Sequence, residues 1–372
     1  MYKPLFNFIS FSLKLALYSI ISFLLLGCAT ETTLKQEKVE VAILMPLSGP
    51  HGEQGKKLAE IIKYGIEDKI QGFINITTLD VATEDYTRQA IEKMIASRTE
   101  IILGPIFTPS VKSLENYVKS HNVLMFTLSN NPILAEPKQI YVAGHAPLKQ
   151  SSVMINYLAS IGNVEFALLI PKNKTSANLE NVLKEMINSK GANMFKSIKY
   201  ENSKESIREA IASLDKAIEA NQEGYHVENK PVIFIAEDNP ESIKLIFDEL
   251  SLLKLDSKAI IAGDNRIDID YNGNIKFLFT GSKIVPSNSL LQKTKLNLGI
   301  SHLNQLETIA YDLGVLTAIA TSKSYTRESF LSRIESPIWN HGLSGSFRFN
   351  NAAMEREYSI IERDGNNIKP HL

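Results

Sequence analysis

This sequence holds one cysteine and one tryptophan, and neither charge sign is in excess. A single cysteine excludes an intramolecular disulfide, so the chain cannot be a disulfide-stapled secreted scaffold. With 40 basic and 41 acidic residues the formal net charge is -1. There is no basic stripe of the kind that a nucleic-acid partner requires. The seven histidines are scattered, without HExxH or Cys/His ligand spacing, so neither a metal nor another cofactor is expected. Repeats of fixed period and long Gly/Ser, Gln/Asn or Pro tracts are also missing. No catalytic constellation stands out. Gly49…Gly55-Lys56-Lys57 has one residue too many for a phosphate loop, and Lys57 stands where Ser or Thr must bind Mg²⁺. In Gly342-Leu-Ser-Gly345 the second glycine comes too soon for a nucleophile elbow. The expectation is a protein that is not an enzyme.

What is present begins with an uneven N-terminus. Lys3 and Lys14 precede the apolar run Leu15–Leu26, 12 residues long. That length suits a signal-peptide core, whereas a spanning helix wants about 20 apolar residues. Leu24-Leu-Leu-Gly-Cys28 resembles a lipobox. The resemblance implies cleavage before Cys28 and acylation of its thiol with diacylglycerol, an acyl lipid that anchors the chain to a membrane. Cys28 otherwise reads as an ordinary apolar residue ending a signal anchor, since Leu5–Leu26 spans if Lys14 snorkels. Residues 29–38 (ATETTLKQEK) read as a flexible tether, spanning roughly 15–20 Å as coil. Ala29 after the cysteine favours the outer membrane over the inner under the best-known sorting rule. The expected location is therefore the periplasm, with the body held near a membrane surface. Without Lys3 and Lys14 the mature chain carries 38 basic and 41 acidic residues.

The body alternates strands and helices from Val39 onward. Near-continuous apolar runs such as Val39–Met45 fit strands buried on both faces. Helical spacing follows at 54–69, 87–97 and in the helix capped by Thr108 or Ser110. The rhythm restarts after Gly144–Ser151. The fold class is thus α/β: two doubly wound parallel-sheet lobes with a cleft between them. The expected domains are a signal at 1–27, lipidated Cys and tether at 28–38, a first lobe at 39–145 plus 281–323, and a second lobe at 146–280 plus 324–372. The tail is read as a helix at 302–320, a helix at 326–334, and a hairpin of strands 344–349 and 358–361 closing one lobe.

Val41-Ala-Ile-Leu-Met-Pro-Leu-Ser-Gly-Pro50, Ile101-Ile-Leu-Gly-Pro-Ile-Phe107, Leu128-Ser-Asn130, Ala310-Tyr-Asp312 and Gly342–Phe349 occur in order. This set resembles the type I periplasmic binding proteins of the branched-chain amino-acid receptor class. Within that superfamily, ILGPIF, TLSNNP, Ile140–Pro147 and GSFRFN look like the penicillin-binding protein activator lipoproteins. That branch implies a non-catalytic regulator of peptidoglycan synthesis that binds a synthase. The enterobacterial members carry an additional N-terminal helical-repeat domain, and with a 10-residue tether ahead of the body this sequence resembles the shorter form. The receptor class implies a lipid-anchored solute receptor, with an ABC permease as partner and a small amino-acid-like ligand. It also implies contacts at Ser48, Thr108 or Ser110, Ser129 and Asn130, with Asp264 holding an ammonium. Ser110 equally reads as a helix cap, Ser129–Asn130 as turn chemistry and Asp264 as a solvated loop residue. The receptors' Tyr-Gly pair after the first strand of the second lobe is replaced here by Pro171-Lys-Asn-Lys-Thr175.

Overall fold

Continuous apolar runs become strands with both faces covered. Val39–Met45 (β1) is buried at every position except Glu40. The computed structural model that gives this view describes residues 38–371, except 70–73, 175, 225–229, 270, 283–287, 301–302, 323–324 and 366. Cys28, the signal and nearly all of the tether lie outside the described residues. Among those that are described, no helix is long and apolar enough to cross a membrane.

After β1 come α1 (Gly52–Glu67), β2 (Ile74–Asp80), α2 (Glu84–Ser97), β3 (Ile101–Leu103), α3 (Thr108–Ser120), β4 (Leu124–Thr127) and β5 (Ile140–Val142). The second run is α4 (Pro147–Ser160), β6 (Glu165–Pro171), α5 (Ser176–Asn188), β7 (Asn193–Tyr200), α6 (Lys204–Gly224), β8 (Val232–Ile235), α7 (Pro240–Leu252), the short α8 (Leu255–Lys258), β9 (Ile260–Gly263) and β10 (Lys276–Ser282). The tail adds α9 (Asn288–Leu298), α10 (Gln305–Thr321), α11 (Arg327–Ile334), β11 (Asn340–Gly342), β12 (Gly345–Asn350), β13 (Ala353–Arg356), β14 (Tyr358–Asp364) and β15 (Asn367–Pro370).

Two mostly parallel sheets result, in the orders β11-β12-β13-β5-β4-β3-β1-β2 and β15-β14-β10-β9-β8-β6-β7. Each is covered on both faces by apolar clusters. Local chemistry sets the element ends. Thr83 accepts from the Tyr86 amide at the start of α2, Asn239 caps α7, and Asn304 with Glu307 forms a capping box on α10. The longest helix contact, α1 against α10, is backbone to backbone. A Cβ on Gly65 would lie 2.4 Å from the Tyr311 carbonyl oxygen, and one on Gly314 would lie 2.3 Å from that of Ile62.

The tail departs from expectation. Strands 344–349 and 358–361 do not pair with each other. β12 pairs antiparallel with β13, and β13 continues the first sheet through Ala353 beside Val142 of β5. Asn351 and Ala352 turn that hairpin with φ of 48° and 60°, the mirror-image turn that matches strand twist. β14 instead runs antiparallel to β10 in the second sheet. Phe330 and Ile334 of α11 sit in the first-sheet core. The expected division therefore needs correction: residues 326–356 belong with the first sheet, and only 358 onward returns to the second. Among the described residues, successive elements change from one sheet to the other between β5 and α4, between β10 and α9, and between β13 and β14.

Candidate functional site

In sheets of this kind ligands bind outside the carboxyl ends of the strands. At that edge of the first sheet a dense backbone weave fixes two loops. The Gly104–Pro105 peptide is cis. The Pro105 carbonyl accepts from the Thr127 hydroxyl at 2.6 Å and the Leu128 amide at 3.0 Å. The Thr127 hydroxyl in turn accepts from the Ser129 amide at 3.0 Å. This brings two expected residues together: Thr108 Oγ1 and Ser129 Oγ are 3.1 Å apart. Thr108 is the first residue of α3, so the pair sits at a helix N-terminus, where amides and dipole favour an anion. Ser110 is half-buried two residues on, and Asn130 is exposed beside Ser129.

Ser48 is committed elsewhere. Its hydroxyl donates to Asp80 Oδ2 at 2.6 Å, while the Leu47 and Ala82 amides donate to Oδ1. Burial pushes the Asp80 carboxyl up, but hydrogen bonds from Ser48, Leu47, Ala82 and Val81 outweigh it and hold the group below its ordinary value. Ser48 thus ties the loop after β1 to the end of β2. Sequence reading missed an aromatic pair at the same edge: the rings of His51 and Phe107 lie 4.8 Å apart. They stand six and four residues beyond the ends of β1 and β3, and nothing in the spacing joins two such loops.

At the carboxyl edge of the second sheet Asp264 is not the solvated residue of the sequence reading but is 1% exposed. Arg266 grips it in a fork, Nε to Oδ1 at 2.8 Å and Nη2 to Oδ2 at 2.7 Å. The Arg266 amide donates to Oδ1 and the Ser151 hydroxyl to Oδ2. Glu237, also buried, accepts from the Asp238 and Asn239 amides and from the Tyr200 hydroxyl.

The two edges meet at the crossings. Gly144 packs so closely that a Cβ would lie 2.2 Å from the Ser129 carbonyl oxygen. The next residue, His145, feels Arg266, Asp264, Arg356 and Asp238, and burial lowers its pKa to about 4. It is therefore neutral near pH 7. Gln305 at the start of α10 accepts from Gln150 at 2.9 Å and from the Asn265 side chain. Below this lies a buried network. Asp312 of α10 accepts from the Leu343 and Ser344 amides, both at 2.7 Å, and from the Ser344 hydroxyl. Arg356 donates to that hydroxyl at 2.7 Å and to the Ala143 carbonyl at 3.2 Å. Gly342 is required here, since a Cβ would fall 2.2 Å from Asp312 Oδ1.

A groove of about 450 Å³ lined by Met94, Tyr117, His121 and Tyr325 lies at the opposite, amino-terminal end of β3. Among the described residues no group of three His, Cys, Asp or Glu side chains could hold a metal ion.

Two sheets of this order, joined by three crossings with polar side chains at their carboxyl edges, define the type I periplasmic binding protein fold. An ABC transporter substrate-binding protein from Sphaerobacter thermophilus superposes with a TM-score of 0.70 at 11% identity, covering 90% of this chain and 96% of that one. The leucine-binding protein of Thermotoga maritima gives 0.62 at 17% identity, covering 90% and 98%. A solute-binding protein from R. palustris, solved with 4-hydroxybenzoate, gives 0.63 at 12% identity, covering 88% and 93%. At these identities the likeness is one of fold. No protein-family model matches the chain. The chain belongs to the family of the uncharacterized protein RP748 of Rickettsia prowazekii, with which it is 36% identical over 330 residues, 89% of this chain and 88% of the relative.

Proposed function

We propose that this protein is a lipid-anchored solute receptor of an ABC transporter that takes a small organic acid between its lobes. The observation that carries the reading is the Thr108–Ser129 hydroxyl pair at the N-terminus of α3, set at the carboxyl edge where this fold binds ligands. A carboxylate there accepts two hydroxyl bonds in a field already favourable to negative charge. Ser110 and the loop at Asn130 frame the same place. The His51–Phe107 pair offers an apolar wall beside it. The solved relatives include receptors holding 4-hydroxybenzoate and benzoate. The alternative, a penicillin-binding protein activator that binds a peptidoglycan synthase, rests on the ordered motifs alone, so the receptor reading is preferred.

The test is a thermal-shift panel of small carboxylic acids and amino acids on the purified chain. A true ligand at 100 times its Kd adds roughly 2.7 kcal/mol to stability. Ser129→Ala and Thr108→Val each weaken binding by about 10- to 100-fold, as loss of a hydrogen bond to a charged group implies. A panel with no stabilising compound would sink the receptor reading.

Export and anchoring rest on Cys28, and the tether keeps the body within tens of ångströms of the membrane surface. Cells fed labelled palmitate should label the wild-type chain and leave Cys28→Ser unlabelled. Absence of label from the wild type removes the anchor.

A further inference from the structure

The receptor class meets an amino-acid ammonium with an acid from the second lobe, and Asp264 stands where that acid is expected. Its surroundings do not allow the role. Four donors converge on its two oxygens: the Arg266 amide, Arg266 Nε and Nη2, and the Ser151 hydroxyl. An ammonium brought to Asp264 would find no vacant lone pair and would face a guanidinium already 2.7 Å from the carboxylate. Like-charge contact in a partly buried site is strongly unfavourable.

The same fork leaves Arg266 with donors to spare. Guanidinium has five N–H groups, and the fork uses Nε and one N–H of Nη2. Both N–H groups of Nη1 and the second of Nη2 remain. The nearest other carboxylate, Asp238, is 4.0 Å from Nη1, beyond hydrogen-bond reach, and its side chain is 75% exposed. Glu237 is already committed to two amides and Tyr200. Burial works against the Arg266 charge, but Asp264, Asp238 and Glu237 outweigh it, so the group stays cationic. Asp264 therefore serves as a bracket that fixes the guanidinium plane. The crossing links the two edges: Gly144 packs on the Ser129 backbone, and the next residue, His145, feels the charge of Arg266. With His145 neutral, Arg266 is the cation that the second sheet presents at this junction.

Resting on the solute-receptor reading, we propose that Arg266 meets the ligand from the second lobe and that the cleft selects a small dicarboxylate over an amino acid. One carboxylate takes the Thr108–Ser129 hydroxyls and the N-terminus of α3, and the other takes the free N–H groups of Arg266.

Calorimetric titration of the full chain in detergent tests this with glutarate against butyrate, terephthalate against benzoate, and leucine. The dicarboxylate of one pair binds at least about tenfold tighter than its monocarboxylate, and leucine does not bind. Arg266→Gln removes that margin while leaving monocarboxylate affinity within about threefold. Arg266→Lys, which retains the cation, keeps dicarboxylates ahead of their monocarboxylates, and it decides the matter should Arg266→Gln fail to fold. Leucine or a monocarboxylate binding as tightly as the dicarboxylates overturns the proposal. So does an Arg266→Gln chain with unchanged selectivity, or an Arg266→Lys chain that binds both kinds of acid equally. Those outcomes leave the receptor reading intact, whereas no binding by any compound overturns both.

Discussion

Arg356→Met is expected to cost about 3–5 kcal/mol of folding stability, the usual loss when one partner of a buried charged network is removed. Arg356 is 6% exposed. It donates to Ser344 Oγ and to the Ala143 carbonyl, and it faces the buried Asp312. Burial raises the Asp312 carboxyl to about 6 against the pull of Ser344, Leu343 and Arg356. Methionine fills much of the volume but leaves a carboxyl without its cation and the Ala143 carbonyl without its donor. A midpoint shift of roughly 4–7 °C in thermal unfolding is the expected reading for a body of this size. The Arg356→Met/Asp312→Asn pair should lose less than the sum of the two single changes, because both act on one network. A single-variant midpoint within about 1 °C of the wild type would show that the network contributes little.

Gly314→Ala should be comparably damaging although it adds one methyl group. Alanine is a better helix former than glycine by about 1 kcal/mol, so on propensity alone the change would stabilise α10. The added Cβ would lie 2.3 Å from the Ile62 carbonyl oxygen, 3.0 Å from the Ile66 nitrogen and 3.1 Å from the Gly65 Cα. All three are backbone atoms, so no rotamer change relieves the contact and the two helices must separate. Separation opens the first-sheet core, to which both helices contribute several buried side chains. A net loss of about 2–3 kcal/mol is expected from overpacking, read as a lower urea midpoint with unchanged slope. A variant as stable as the wild type would mean that the helices are not in backbone contact.

Much of this architecture is legible in the sequence. Buried parallel strands announce themselves as apolar runs, and β1, β6 and β8 do so almost to the residue. Gly65 is visible as a member of the buried stripe of α1, although its purpose depends on a helix some 250 residues away in sequence. The tail is where reading along the chain fails. Ala353–Arg356 reads Ala-Met-Glu-Arg, with neither alternation nor an apolar run, so the strand that completes the hairpin is hidden. Without it, β14 was matched to the wrong partner. The site divides in the same way. Thr108 and Ser129 could be placed at strand ends because loops follow strands. The occupation of Ser48 by Asp80, and of Asp264 by Arg266, could not, because no periodicity encodes which side chain a carboxylate faces.

The pairing of β5 with β13 also bears on how the protein is made. Val142 finds its neighbour Ala353 about 200 residues later. A nascent chain can assemble β1 to β5 early, but the last strand of that set then presents an open row of amides and carbonyls until nearly the whole polypeptide has emerged. Such an edge invites pairing with another chain. Long-range closure of this kind also slows folding, because loop entropy must be spent before the contact forms. Completion of the first sheet thus waits for a strand near the far end of the chain, and until then its β5 edge is open to pairing with other chains.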